Sequence, residues 1–261
     1  MAESIPVPLD VKLMNIVATL LFASCGFMLL AGGVWWVLRQ PFFPLAGIRV
    51  DGQVAHVSDV SLRANVVPQL AGNFFTVDLA RTRTAFESVP WVRKAVVRRE
   101  FPNRLRVTLT EQDPVAYWGD DTGSQLINGF GEVFEANVAE VEHPLPRLKG
   151  PASDASLVLG MYRELAPMFH ADDLTVEQLT LSSRGSWSID LDTGAHIELG
   201  RGNADELAGR TKRFLTSVRQ VAAHYGRSIE SVQGADMRHK DAYALRMRGV
   251  STVGPDEAKK R

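Results

Sequence analysis

The sequence has a single cysteine, Cys25, among 261 residues. One cysteine cannot form an intrachain disulfide, so cysteine usage gives no information on the redox compartment of the protein. An excess of charge of one sign is also missing, because the formal net charge is −1 at pH 7. We therefore expect neither a disulfide framework nor a global electrostatic field that attracts polyanions such as nucleic acid.

Motifs that carry catalysis or hold cofactors are missing as well. The six histidines form no His-x-x-His or His-Glu-x-x-His pair with metal-ligand spacing, and no Gly-x-Ser-x-Gly elbow is present. The glycine pairs in 129–131 and 200–202 lack the third glycine of a nucleotide fingerprint and are typical of turns. We predict no cofactor, no metal and no enzymatic activity.

Asp190 and His196 are the one catalytic alternative. They lie on either side of a glycine turn, with Ser186 and Ser188 nearby. Aspartate and serine are also ordinary residues at turns, so the hairpin does not require a catalytic explanation. A hydrolase that uses this hairpin remains the alternative.

The longest apolar run extends from Ile16 to Leu38 and contains no charge. At about 1.5 Å per residue, a helix of this length covers roughly 34 Å, enough for the hydrocarbon core of a bilayer. Trp35 and Trp36 stand near its end, where indole rings favour the headgroup level, and Arg39 follows. We predict a transmembrane helix over residues 16–38, preceded by a tail of residues 1–15 that has no fold.

Two alternatives apply to this run. A cleaved signal peptide has a shorter apolar core and a basic start, whereas here only Lys12 precedes the run as a basic residue. A lipoprotein signal would be processed at Cys25, but Phe22 stands where such signals usually have leucine, and processing would leave half a membrane span. Lys12 and Arg39 balance each other, so charge does not settle the orientation.

Residues 45–112 have the pattern of a small α+β module. The predicted elements are a strand at 48–50, a helix capped by Ser58 that runs to about Leu70, a helix that begins at Asp78 and ends before Pro90, and strands at 95–99 and 105–111. Apolar and polar residues alternate in the last strand, which indicates an antiparallel sheet with one solvated face. The order β-α-α-β-β allows the two helices to cover the other face.

Residues 113–248 contain many short strand patterns separated by turn residues. Two helices are expected, one after Ser153 and one over 205–225, and the proline-rich stretch 144–151 is expected to be a loop. The last predicted strand is 242–248, in which Ala242, Ala244 and Met247 alternate weakly. We predict a β-rich domain with an antiparallel sheet and flanking helices, followed by a disordered tail of residues 249–261.

A run of basic residues is the one local excess of charge. Its members are Arg93, Lys94, Arg98, Arg99, Arg104 and Arg106. Such a run is typical of a solvated sheet face, and an anionic surface such as lipid headgroups or an acidic partner is the alternative. Nucleic acid is not expected, because aromatic residues that could stack on bases are not interleaved with the run.

The stretch Val89 to Leu105, VPWVRKAVVRREFPNRL, resembles the second half of a POTRA module. In that pattern a Pro-Trp-Val turn leads into a basic strand, a Pro-Asn turn and a strand that ends in Glu-x-x-Pro-Val-Ala, here Glu111 to Ala116. Leu-Gly-Arg-Gly at 199–202 and Asp-Met-Arg at 236–238 follow in the β-rich domain. This order of parts after a single anchor resembles the FtsQ/DivIB family of bacterial divisome proteins.

The resemblance implies a non-enzymatic scaffold in the inner membrane at the division septum. It implies that the N-terminus is cytoplasmic and that the two domains are periplasmic. The implied partners are the FtsB–FtsL complex, together with FtsW, FtsI, FtsN, FtsK and FtsA. The implied role is to link early and late division proteins and to help control septal peptidoglycan synthesis.

The resemblance also implies where the partner binds. FtsB is expected to add a strand to the free edge of the last strand, and two arginines are expected to pair with its carboxylates. The expected partner-binding residues are Arg184, Arg238, His239, Ala242, Tyr243, Ala244, Leu245, Arg246 and Met247. His239 and Met247 replace aromatic residues of the family pattern. The module that carries Arg93, Lys94, Arg98 and Arg99 is implied to serve recruitment to the division site.

A second class of function uses POTRA modules to handle unfolded clients, as chaperones or in translocation. Such proteins usually have several modules beside a β-barrel. This sequence has the pattern of one module and no barrel pattern. We therefore favour the division scaffold.

Overall fold

The computed structural model describes residues 9–40, 43–52, 54–120, 123–239 and 242–249. The chain divides into two compact units, Met1–Glu111 and Gln112–Arg261. Apart from residues 9–15 and Gly249, the two predicted tails lie outside the described residues. Helices covering one face of each sheet confirm the predicted α+β class.

The first unit begins with helix α1, Leu9–Arg39. The helix starts seven residues before the predicted membrane span, so the expectation of no fold is wrong for residues 9–15. Lys12, Leu13 and Met14 are good helix formers, and Asp10 lies in the first turn, where the helix dipole favours an acidic residue. Residues 10–39 form the one helix in the described part of the chain that is long and apolar enough to cross a membrane. Most of its large apolar side chains are exposed, because no other described part of the protein packs against them.

Three strands and two helices form the rest of the first unit. They are β1 (Gly47–Asp51), α2 (Asp59–Val66), α3 (Leu79–Glu87), β2 (Val92–Glu100) and β3 (Arg104–Glu111). Ser58 and Asp78 cap the two helices as predicted, each accepting hydrogen bonds from backbone N–H groups of the first turn. α2 ends four residues earlier than predicted, and Pro68 lies in the 3-10 turn that follows it.

The sheet of the first unit is mixed, with the order β1-β3-β2. β3 pairs antiparallel with β2 and parallel with β1. The prediction of an antiparallel sheet is therefore wrong for β1, because side-chain alternation identifies a solvated face but does not report strand direction. Leu105, Val107 and Leu109 are buried against the helices, as their alternation predicted.

The second unit contains nine described strands and two long helices. They are β4 (Pro114–Trp118), β5 (Gln125–Asn128), β6 (Val133–Glu135), β7 (Arg147–Lys149), α4 (Ala155–His170), β8 (Val176–Leu181), β9 (Trp187–Leu191), β10 (His196–Gly200), α5 (Ala204–His224), β11 (Val232–Asp236) and β12 (Ala244–Met247). β7 falls within the stretch that was predicted to be a loop. Its three residues are too few for a periodic pattern, and prolines flank them.

The strands of the second unit form one sheet in the order β12-β11-β10-β9-β8-β7-β4-β5-β6. The predicted antiparallel sheet is wrong here also, because three neighbouring pairs are parallel: β4 with β7, β7 with β8, and β10 with β11. Two of these pairs have a physical explanation in the helices. α4 connects β7 to β8 and α5 connects β10 to β11, and a helical crossover returns the chain in the same direction.

α4 and α5 cover one face of this sheet and build the core with it. Trp187, Ile189 and Leu191 of β9 are buried there together with Phe214 and Val218 of α5. The alternate residues of the strands, such as Ser188 and Glu198, remain partly exposed on the opposite face. The second unit therefore has an open polar sheet face, with β12 at one edge and β6 at the other.

Candidate functional site

β12 pairs only with β11 among the described strands, so its second edge is free. The two strands are antiparallel, with Ala244 opposite Asp236 and Leu245 opposite Ala235, and a register shift follows on β11. Ala244 and Arg246 are exposed, whereas Leu245 and Met247 point to the core side. The inward set is thus Tyr243, Leu245 and Met247. The weak alternation in the sequence grouped Ala242 and Ala244 with Met247, but both alanines are exposed.

The direction of the backbone groups on β12 follows from one hydrogen bond. Arg248 donates its backbone N–H to Ser231 O, at 2.8 Å, so this amide points towards β11. Backbone groups alternate sides along an antiparallel strand, and the register shift lies on β11. The N–H groups of Ala244 and Arg246 therefore point towards β11, and those of Leu245 and Met247 point to the free edge.

Side chains fix β12 to the second unit. The Tyr243 ring packs edge-on against Phe214 of α5, with a centroid distance of 5.2 Å. Its hydroxyl lies 2.8 Å from Oγ of Ser217. The ring and hydroxyl of Tyr243 thus contact α5, and its part in partner binding stays a prediction. His239 and Ala242 line a small pocket with α5 beside it.

Arg238 is positioned immediately after β11 by Asp236. Its Nη2 donates to Asp236 Oδ2 at 2.5 Å, and its Nε lies 2.9 Å from Oδ1. These side-chain hydrogen bonds, together with the Arg238 backbone N–H, lower the pKa of Asp236 to about 2. The guanidinium group remains mostly exposed at 60% of its side-chain area, so it can contact a further acidic group.

Arg184 and Arg238 line the same depression on the open polar face. The depression has a volume of about 580 Å³, and Ser186, Glu198 and Arg201 also line it. The structure thus brings the two predicted arginines together, although 53 residues lie between them in the sequence. Arg201 is a third basic residue at this site that the sequence analysis did not single out. Its place within Leu-Gly-Arg-Gly was the available signal.

Gly200 explains why that motif accompanies Arg238. Its φ of +82° lies in the left-handed region, and a Cβ at this position would approach Arg238 Cα to 3.2 Å. Arg210 of α5 donates to the carbonyl of Leu199 from the other side. The motif therefore lets the backbone pass close beneath Arg238 while α5 holds it.

The Asp190/His196 hairpin has the geometry of a surface ion-pair cluster. His196 Nδ1 lies 2.6 Å from Asp190 Oδ1, and Nε2 lies 3.3 Å from Glu198 Oε1. The hydrogen bond to Asp190 is the largest factor that raises the pKa of His196 above its ordinary value. Since carboxylates occupy both ring nitrogens, neither is available to accept a proton from a serine hydroxyl in this arrangement.

The predicted basic residues of the first unit do not share one surface. Arg99 donates from Nε to Phe74 O at 2.8 Å and from Nη2 to Val77 O at 2.8 Å, so it holds a loop. Lys94 and Arg98 lie on the opposite, open face of β2 and are exposed. Arg93 is partly buried.

The family-like motif residues have structural roles in the first unit. Trp91 is buried with φ of +70°, and its ring stacks on His56 at a centroid distance of 4.3 Å. The carboxylate of Glu111 accepts backbone N–H groups of Ala55, His56 and Val57, each at 2.9 Å. These contacts fix the segment that leads into α2.

The predicted anchor residues lie on α1 as expected from the sequence. Ile16, Trp35 and Trp36 are exposed, and Leu38 is partly covered. The Arg39 guanidinium lies over the Trp35 ring, 3.8 Å from its centroid. The basic group thus stacks on one of the two indoles in the last turns of the helix.

Comparisons with known proteins match both units. A family model described as POTRA domain, FtsQ-type matches residues 43–112, and one described as Cell division protein FtsQ/DivIB, C-terminal matches residues 116–238. The chain is 41% identical over 242 residues to the cell division protein FtsQ of Burkholderia pseudomallei, covering 92% of this chain and 94% of that protein. It is 39% identical over 254 residues to FtsQ of Thiomonas arsenitoxydans, covering 95% and 91%. FtsQ of Bordetella pertussis is 37% identical over 268 residues, covering 95% of each.

Proposed function

Because this chain belongs to the FtsQ/DivIB family of cell division proteins, we propose that it is a non-catalytic scaffold of the divisome. In this proposal it binds FtsB and FtsL, contributes to assembly with FtsW, FtsI, FtsN, FtsK and FtsA, and helps control septal peptidoglycan synthesis. It sits in the inner membrane at the septum, with the N-terminus in the cytoplasm and both units in the periplasm. The proposed extents are 1–15 for the tail, 16–38 for the span, 45–112 for the POTRA domain, 113–248 for the β domain and 249–261 for the C-terminal tail.

The free edge of β12 carries this proposal. Leu245 and Met247 direct their backbone groups away from β11, which makes the edge a template for an added strand. Backbone pairing does not depend on the aromatic residues that His239 and Met247 replace. We therefore assign the strand of FtsB to this edge, with side chains at Ala244 and Arg246 free to contact it on the open face.

Electrostatics supports an acidic partner at the neighbouring depression. Arg184, Arg201 and Arg238 line it, against the single carboxylate of Glu198 among its lining residues. Asp236 already orients the Arg238 guanidinium. This side chain would therefore lose little further conformational freedom when it binds a partner carboxylate.

The first experiment compares two substitutions at one position. Leu245→Pro removes an N–H that points to the free edge, whereas Leu245→Ala shortens the same side chain and keeps the N–H. We expect Leu245→Pro to weaken binding of the C-terminal segment of FtsB about tenfold or more relative to Leu245→Ala. Binding is measured by titration with the full chain in lipid nanodiscs.

Equal affinities of the two Leu245 variants would contradict the edge assignment. Proline at Ala244 is the less specific test, because its N–H points to β11 and the substitution also disturbs the internal pair. Retained far-ultraviolet circular dichroism in both Leu245 variants shows that the fold has survived.

A second experiment reverses single charges at the depression. Arg184→Glu and Arg238→Glu are each expected to weaken FtsB binding by about tenfold, with a larger effect at low salt. Lys212→Glu is the matched control, because Lys212 is exposed on α5 and this substitution changes the net charge by the same amount. If all three variants bind alike, these arginines do not contact the partner.

A further inference from the structure

A buried asparagine joins the loop that precedes α3 to the end of α1. Asn73 is 7% exposed, and its Nδ2 donates to Leu38 O at 2.7 Å and to Gln40 O at 2.9 Å. Carbonyls at the C-terminal end of a helix have no partner within the helix. Asn73 therefore caps the C-terminus of the apolar helix from more than thirty positions further along the chain.

The same side chain is fixed on its acceptor side. Asn73 Oδ1 accepts the backbone N–H groups of Phe75 and Thr76, each at 3.0 Å. The carbonyls of the loop are held in turn by Arg99 of β2. The loop is thus hydrogen-bonded both to the end of α1 and to the sheet. The amide of Asn73 donates from Nδ2 and accepts at Oδ1 at the same time.

Exposed phenylalanines surround this junction. Phe43 and Phe75 pack edge-on with centroids 5.0 Å apart, and each is 38% exposed. Phe101, in the turn between β2 and β3, contacts the buried Phe74 at 5.2 Å but is itself 77% exposed. We name Phe43, Phe75 and Phe101 the aromatic collar. Uncovered aromatic side chains grouped in this way indicate a binding surface.

The bilayer is the occupant that the geometry favours. The end of a membrane-spanning helix lies at the interface between lipid and water, where aromatic rings are favoured. Asn73 bonds directly to that end, and the backbone N–H of Phe74 bonds to Phe43 O at 3.0 Å. These bonds place Phe43 and the loop of Phe75 beside the last turns of α1, which carry Trp35, Trp36 and Arg39. Phe101 joins them through its contact with Phe74.

We propose that the aromatic collar lies in the membrane–water interface and that Asn73 holds the POTRA module against the membrane. The proposal rests on the proposed function only in requiring that α1 spans the bilayer. The module would then be seated on the lipid surface by a fixed contact instead of hanging from a free linker.

The strands provide a control position within the same hairpin. Ala46 N–H bonds to Asn103 O at the collar end, and β1 and β3 run from there in the same direction. Thr110 is exposed near the far end of β3, six residues beyond Arg104, which is about 20 Å at the rise of a strand. A label at Thr110 should therefore stay in water when a label at Phe101 is in the interface.

The experiment uses the full chain in nanodiscs whose lipids carry a quencher on the upper acyl chain. An environment-sensitive fluorophore is attached to Phe101→Cys or Thr110→Cys in a Cys25→Ser background. Labelled native Cys25, in the middle of α1, reports insertion of the helix by means of a deep quencher. We expect the Phe101→Cys label to be quenched at least about twofold more than the Thr110→Cys label.

Each outcome has one meaning. Equal quenching at the two hairpin positions overturns the proposal, as does a blue-shifted Phe101→Cys label that lipid does not quench, because protein then covers the collar. An unquenched Cys25 label would instead contradict the membrane anchor of the proposed function. Strong quenching at Phe101→Cys alone supports the proposal.

Asn73→Asp tests the hydrogen-bonded link. The substitution keeps oxygen acceptors for Phe75 and Thr76 but removes both donors to the end of α1. We expect quenching of the Phe101→Cys label to fall about twofold or more. Asn65→Asp, the same change at an exposed asparagine of α2, is the matched control. Unchanged quenching in a folded Asn73→Asp protein would overturn the role of Asn73.

Discussion

Arg238 donates four hydrogen bonds to the carboxylate of Asp236, three from its side chain and one from its backbone N–H. They favour the charged form of Asp236, whose pKa falls from 3.8 to about 2. Because the folded pKa is the lower one, the pair stabilises the fold above the ordinary pKa, and this contribution disappears as the pH falls towards 2. At neutral pH both groups are charged, and Asp236 fixes the orientation of the Arg238 guanidinium.

Removal of Arg238 should therefore be visible at Asp236. In Arg238→Ala the pKa of Asp236 is expected to rise from about 2 towards 3.8, measured by titration of its carboxyl carbon in nuclear magnetic resonance spectra. Arg246→Ala is the control, because Arg246 lies on the same strand pair but is not among the groups that lower this pKa. An unchanged pKa in Arg238→Ala would mean that the Asp236–Arg238 pair does not form in solution.

At the scale of single residues, the sequence predicted which residues belong to the site better than it predicted which residues lie beside them in space. Arg184 and Arg238 were expected from the family pattern, but their shared depression depends on how β8 to β11 are ordered in the sheet. Arg201 was missed because a basic residue between two glycines looks like an ordinary turn. Arg99 belonged to a basic run in the sequence, yet its guanidinium is used to hold loop carbonyls.

At the scale of elements, strand β12 shows the limit of periodicity. Its four residues are too few to distinguish the faces by composition, and alanine at the exposed Ala244 resembles a buried residue. Only the contacts of Tyr243 and Leu245 with the core, together with the burial of Met247, identify the inward face. The edge position itself follows from the family resemblance and from strand order, not from any local signal.

Helices were easier to predict than strand partners. α5 begins with a capping box between Asn203 and Glu206 and has a long apolar stripe, so its sequence pattern was unambiguous. The parallel pairs were not foreseen, since alternation along a strand contains no information about its neighbour. β7 was not predicted, because the surrounding prolines suggested a loop.

A pair of glycines allows the motif 199–202 to be tested. Gly200 and Gly194 both have positive φ, +82° and +78°, but only Gly200 is crowded, by Arg238 and Arg210. We expect each change to alanine to destabilise the second unit by about 1 kcal/mol, with a further loss for Gly200→Ala and weaker FtsB binding in that variant alone. Urea unfolding and titration with the FtsB segment provide the two measurements.

Equal binding by Gly200→Ala and Gly194→Ala would mean that the motif does not position Arg238 for the partner. Equal losses of stability would mean that the neighbourhood of Gly200 relaxes without cost. The two readouts therefore separate the effect on the fold from the effect on the site.

At the scale of the whole molecule, the order of parts carried the most information. The apolar helix, the POTRA motif and the glycine motif could each have been a chance match, but together they predicted the family whose models match both units. The structure adds two features that no linear pattern contained. One is the set of β12 backbone groups that face its free edge, and the other is the bond from Asn73 to the end of the apolar helix.

Strand addition to β12 is the central feature of the proposed scaffold. Before binding, the amides of Ala244 and Arg246 face β11, and those of Leu245 and Met247 face the free edge. An added strand would bond to the second set and leave the first unchanged. Binding should therefore change amide protection at alternate residues, a pattern that contact by side chains alone does not produce.

The most direct measurement is residue-resolved amide hydrogen exchange of the full chain in nanodiscs, with and without the C-terminal segment of FtsB. We predict that protection of Leu245 and Met247 rises about tenfold or more when the segment is bound, with a much smaller change at Ala244 and Arg246. If the segment binds and the amides of Leu245 and Met247 exchange as fast as in the free protein, FtsB does not add a strand to β12.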